Sequence, residues 1–100
     1  MKAAKLFHDK ATLPDGSMVE MTIWRLAEAN PERSHELKYS LYYGRAGERL
    51  VGFDNERGKG DHKHIGEREM RYRVVSVEQL IADFLADIDV VRLDELKRKE

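Results

Sequence analysis

Residues 37–53, LKYSLYYGRAGERLVGF, decide the fold. Leu37, Tyr39, Leu41 and Tyr43 alternate with Glu36, Lys38, Ser40 and Tyr42, so an extended chain here has one apolar face and one mostly solvated face. Gly44-Arg45-Ala46-Gly47 supplies a turn, and Leu50 to Phe53 returns as the next strand. A hairpin of this kind needs further strands beside it and a cover over its apolar face.

The flanking sequence supplies both. Upstream, Met18 to Leu26 sets Val19, Met21 and Ile23 on one face and Glu20, Thr22 and Trp24 on the other. The turn Pro14-Asp15-Gly16-Ser17 joins it to a first strand within residues 2–13. Trp24, on the polar face, reads as a partly buried anchor against the helix. EANPERS, Glu28 to Ser34, reads as a loop.

Downstream, Met70, Tyr72 and Val74 alternate with Arg71 and Arg73, which predicts a strand with a cationic outer face. Ser76 reads as a helix N-cap with Gln79 as its capping-box partner. The helix that follows carries Val77, Leu80, Ile81, Phe84, Leu85 and Ile88 on one stripe, with Glu78, Asp83, Asp87 and Asp89 opposite. The final DELKRKE is expected to fray. The expected architecture is α+β in a single domain, 1–100. An antiparallel meander of five or six strands fills most of 1–75, and one long C-terminal helix, 76–96, covers the face made by Leu37, Tyr39 and Leu41.

Composition narrows the function classes. At 41% hydrophobic and 37% charged, the 100-residue chain can build one core under a densely ionic surface. A formal net charge of −1 argues against a protein that coats nucleic acid generally. The charge is uneven, however: Asn55 to Val75 holds six Lys/Arg against four acids, and Ser76 to Leu96 holds six acids against one arginine. With no cysteine there is no disulfide, thiolate metal site or cysteine nucleophile. Charges interrupt the N-terminal MKAAKLFHDK and no long apolar run exists, so a cytoplasmic protein without a membrane segment is expected.

The chemistry-bearing residues gather in FDNERGKGDHKHI, 53–65, which reads as a surface loop leading into a strand, with His64-Ile65 at that strand's start or in a short strand of their own. If the chain is extended at His62-Lys63-His64, both imidazoles project to one side and Lys63 to the other. Two histidines so placed suit general acid–base catalysis on a phosphodiester, their ordinary pKa near 6.5 allowing both protonation states around neutrality. Arg57, Lys59 and Arg73 would then offset phosphate charge, and RNA supplies its own 2′-hydroxyl as nucleophile. The same His-x-His with Asp54 or Asp61 could ligate a divalent metal, and the run could also be purely structural. Gly58 and Gly60 around Lys59 could curl the backbone about an anion, although the GxxxxGK[ST] spacing of a P-loop is absent.

At DNERGKGDHKHIGE, followed by YRVVSVEQLIADFLADI, the sequence resembles the TumE family of small toxins from bacterial type II toxin–antitoxin systems. The matching positions are Phe53, Asp54, Asn55, His62, Lys63 and His64, then the helix from Ser76 to Ile88. The resemblance implies a growth-inhibiting toxin neutralised by a small antitoxin that is usually a DNA-binding regulator. The segment GKGDHKH is shorter than in other members and lacks their additional Pro and His, which counts against a multi-histidine metal site common to the family.

The leading expectation is a toxin acting as a ribonuclease without metal or other cofactor. His62 and His64 exchange protons, Asp54 and Asn55 orient them, and Arg57, Lys59, Lys63, Arg71 and Arg73 hold the substrate. The alternative is a non-catalytic module that binds protein or nucleic acid through the basic strand Met70 to Val75. Expected partners are the antitoxin and RNA; an exposed edge strand would support a homodimer, and the acidic helix would suit a basic antitoxin segment.

Overall fold

Alternating apolar residues fold here as a sheet with one covered face. In the computed structural model, which describes residues 4–26, 36–56 and 60–98, the elements are β1 (Ala4–Thr12), β2 (Met18–Arg25), β3 (Leu37–Arg45), β4 (Glu48–Glu56), β5 (Gly60–Ile65), β6 (Arg68–Arg71) and α1 (Val77–Arg98). The sheet is an antiparallel meander in the order β1-β2-β3-β4-β5-β6, open at both edges, and α1 packs on one face. The residues expected to form the loop after Glu28, together with His35, Arg57, Gly58 and Lys59, lie outside the described residues.

The register explains the core. Met21 pairs with Leu41 and Leu41 with Phe53, Ile23 with Tyr39, and Val19 with Tyr43, so the apolar sets of β2, β3 and β4 stack on a single face. Ile23, Tyr43, Val51, Phe53, Leu80 and Phe84 are fully buried. Phe84 meets Phe53 edge-on at 5.6 Å, and Tyr72 also meets the Phe53 ring edge-on at 4.8 Å. The covered face is the one that includes Leu37, Tyr39 and Leu41, but the helix itself lies chiefly against β4. The β3–β4 hairpin turns through Ala46 and Gly47 at φ 55° and 79°, the paired positive values of a type I′ turn, where a glycine relieves the strain.

Several expectations need correction. Residues 53–56 and 60–65, expected as loop, are strand: β4 extends through Glu56, and β5 begins at Gly60 and pairs with it. The last strand ends at Arg71 rather than running to Val74; Tyr72, just beyond it, packs against Phe53 and donates its hydroxyl to Asp83 at 2.6 Å. Trp24 is half-buried on the face away from the helix, where Lys5 Nζ lies 5.0 Å from its ring.

In the helix, Leu80, Phe84 and Ile88 are buried, with Val77, Ile81 and Val91 beside them, while Leu85 falls off the stripe at 43% exposure. Ser76 Oγ accepts from Gln79 N at 3.0 Å, the expected cap. Gln79 does not complete a capping box, since its amide donates to Asp83. The helix continues to Arg98. Lys97 and Arg98 favour its negative end, and Arg45 holds Glu95 through bonds of 2.8 and 3.1 Å.

Asp83 and Asp87, expected on a solvated face, meet donors from the sheet. Tyr72 reaches Asp83, and Lys63 Nζ reaches Asp87 at 2.9 Å. Tyr39 donates to Asp61 at 2.9 Å beneath them. Burial, with the Asp61 carboxylate alongside, pushes the Tyr39 hydroxyl well above its ordinary range; burial and the bond to Asp83 do the same to Tyr72. At the other end Asp15 takes the Ser17 hydroxyl at 2.5 Å and its N–H at 2.9 Å, with Arg45 and Arg92 beside it. Those bonds hold its carboxyl far below the ordinary range. Among the described residues no helix is long and apolar enough to cross a membrane.

Candidate functional site

On an antiparallel ladder, residues paired across strands point to the same face. The pairs Asp54↔His62 and Gly52↔His64 therefore stand together on the side of β4 and β5 away from the helix. Extending the register outward gives two rows across that face: Ser40, Asp54, His62 and Arg71, then Tyr42, Gly52, His64 and Glu69. The strand pairing alone thus unites Asp54 with both histidines.

His62 is held at both ring nitrogens. Its Nδ1 lies 3.0 Å from the Gly60 carbonyl, which can only accept, and its Nε2 lies 2.6 Å from Asp54 Oδ1. With Nδ1–H donated to Gly60, a neutral ring turns a bare Nε2 toward a carboxylate oxygen. The contact is short but undirected, since Oδ1 is sealed from solvent and accepts no aligned hydrogen bond. The His62 side chain is only 5% exposed, against 23% for Asp54 and 14% for His64. The two imidazoles meet edge to face at 5.1 Å, and His64 Nε2 lies 3.9 Å from Glu69 Oε2. One donor atom from each of Asp54, His62 and His64 can be chosen so that all lie within 4.8 Å of one another.

The remaining candidates divide by face. Arg71 is the cross-strand neighbour of His62 and is exposed, so it borders the cluster. Arg73 is exposed beyond the end of β6. Lys63 is on the helix side, paired to Asp87 with its Nζ 5.4 Å from the Phe53 ring centroid. Asn55 is also on the helix side, 4% exposed. Its Oδ1 accepts from Tyr39 N at 3.0 Å and its Nδ2 donates to the Leu37 carbonyl at 2.7 Å. The β3–β4 ladder stops at Ser40↔Asp54, and the Asn55 amide continues the pairing with its side chain. Arg57 and Lys59 lie outside the described residues.

Sequence reasoning missed Arg49. A Cβ at residue 52 would stand 2.7 Å from Arg49 Cδ and 3.2 Å from its Nε, so the arginine lies directly over Gly52, next to His64 in the row. The signal was available: a glycine inside a strand marks a close approach by another group. The outer face thus carries Asp54, two imidazoles and flanking cations at Arg49 and Arg71, a set able to move protons beside an anion or to hold a metal ion.

A comparison with curated proteins finds no match, and a comparison with solved structures finds none either. A family model described as Toxin TumE matches residues 4–92, which span all six strands and most of the helix. The chain therefore belongs to the TumE toxin family, a membership that implies the toxin component of a toxin–antitoxin system with a cognate antitoxin as partner.

Proposed function

We propose that this toxin cleaves RNA in the cytoplasm, using the outer face of the β4–β5 hairpin and no metal for the chemical step. The observation that carries the reading is the convergence of His62, His64 and Asp54, with the two rings in edge-to-face contact at 5.1 Å. The bare Nε2 of His62 takes the proton of the 2′-hydroxyl, whose oxygen attacks the adjacent phosphorus. The bond to the 5′-oxygen breaks, and His64 gives that oxygen its proton. The products are a 2′,3′-cyclic phosphate and a free 5′-hydroxyl. Asp54, whose Oδ1 lies 2.6 Å from that same Nε2, stabilises by charge the imidazolium formed there, while the Gly60 carbonyl holds the ring from behind at Nδ1.

Arg49 and Arg71 flank the histidines and offset the charge that gathers on phosphorus, with Arg73, exposed beyond the end of β6, adding to the positive charge. Lys63 and Asn55, on the helix side, serve the frame rather than the substrate. The antitoxin silences the toxin by binding it. Incubating the purified chain with messenger RNA in excess chelator tests the reading. Fragments ending in 2′,3′-cyclic phosphate, absent with His64→Ala, are expected; intact RNA under all conditions, ribosome-bound message included, would refute it.

A further inference from the structure

We propose that Asp54, His62 and His64 form a binding site for one divalent transition-metal ion of the zinc class. His-x-His on a strand sends two imidazoles to one face, and the register sets a carboxylate directly across from the first of them. The donor atoms lie within 4.8 Å of one another, a span that one ion can gather with small side-chain rotations. The chemistry of the set, two nitrogens and one oxygen, suits zinc, cobalt or nickel rather than the all-oxygen preference of magnesium or calcium.

Two details of His62 point the same way. Its Nδ1 is tied to the Gly60 carbonyl, the outer-shell bond that fixes a metal-binding imidazole in the tautomer with Nε2 free. Across from that nitrogen, Asp54 Oδ1 is sealed from solvent without an aligned donor, and His62 itself is 4% exposed. Two electron-rich atoms 2.6 Å apart repel unless a proton or a metal ion lies between them, and Oδ1 has no aligned N–H donor, which favours the metal ion. Three protein ligands leave further positions for water or an anion, which Arg49 over Gly52 would help to hold.

A second consequence rests on the RNA reading. A nitrogen that binds a metal cannot also accept a proton, so bound zinc and proton transfer exclude each other at His62. Zinc therefore represses RNA cleavage, and a chelator restores it.

Titration calorimetry with Zn2+ alone, on the whole chain and on His64→Ala and Asp54→Asn, tests the site without reference to activity. The wild type should take up one ion. Each variant, its fold checked by circular dichroism, should bind about tenfold more weakly or worse, since even outer-shell changes cost that much. Co2+ should give visible ligand-field bands with the wild type that both variants lose. No stoichiometric uptake, or uptake unchanged in whichever variants fold, overturns the site. Stoichiometric uptake with cleavage indifferent to zinc, or dependent on it, removes the repression and leaves the site standing. Metal uptake by a chain that never cleaves RNA removes the RNA reading alone.

Discussion

Asp54 and His62 face each other across the β4–β5 ladder, carboxylate oxygen to imidazole nitrogen at 2.6 Å, with the far side of the ring tied to the Gly60 carbonyl. The relationship depends on hairpin register. A slip of one residue would send either partner to the helix side, so the geometry is as secure as the pairing that holds it.

Asn55 ties the same strand, β4, to β3 on its other side. Asn55→Ala removes two buried hydrogen bonds, to the Tyr39 N–H and the Leu37 carbonyl, a loss of about 1–3 kcal/mol at roughly 0.5–1.5 per bond. Urea denaturation should show the loss. Below the unfolding midpoint the variant should still cleave RNA, as it would not if the amide acted on substrate.

Gly52→Ala should leave stability nearly unchanged, because the new methyl meets the flexible Arg49 side chain and displaces it. Displacing that cation removes charge beside His64, so RNA cleavage should fall by about tenfold, the effect of roughly 1.4 kcal/mol on a barrier. Arg49→Ala should fall equally, and the double variant should be no worse than either. Additive losses in a double-mutant cycle would show that the two residues act separately.

Much of this was legible in the sequence and some was not, for one physical reason. The meander and the helix were announced by alternation in residues 18–25 and 37–43 and by the stripe at Leu80, Phe84 and Ile88. Residues 54–65 hid their strands because neither face is apolar. One face carries Asp54, His62 and His64, while the other meets the structure through Asn55, Asp61 and Lys63, whose polar ends find partners at Tyr39 and Asp87. Alternation by function rather than by hydropathy looks like a loop. For the same reason the sequence did not separate Lys63 and Asn55, on the helix side, from the histidines opposite; Trp24 was read on the correct, polar face but given the helix as its neighbour.

Alkaline pH should weaken the fold through Tyr39 and Tyr72. Both hydroxyls titrate above their ordinary value of 10.0, so the stabilisation is complete below that pH and is lost as pH rises past it, when the unfolded chain ionises first. Urea midpoints should fall above about pH 10, and Tyr72→Phe should flatten the decline. The phenolate absorbance of these two tyrosines should rise together with unfolding.

Acid should act through Asp15. Its carboxyl is held down by Ser17, then by Arg92 and Arg45, so its contribution is complete above the ordinary value of 3.8 and is lost as pH falls below it. Thermal midpoints measured between about pH 5 and pH 2 should drop less steeply for Asp15→Asn than for the wild type. Equal slopes would show that the network at Arg45 and Arg92 does not titrate with folding.

The most direct test is growth of a bacterial host after induction of the wild-type chain and, in parallel, of the His62→Ala/His64→Ala variant shown to be folded by circular dichroism. Arrest by the wild type and normal growth with the folded variant is the predicted result. Arrest by both would contradict a site on the outer face of β4 and β5.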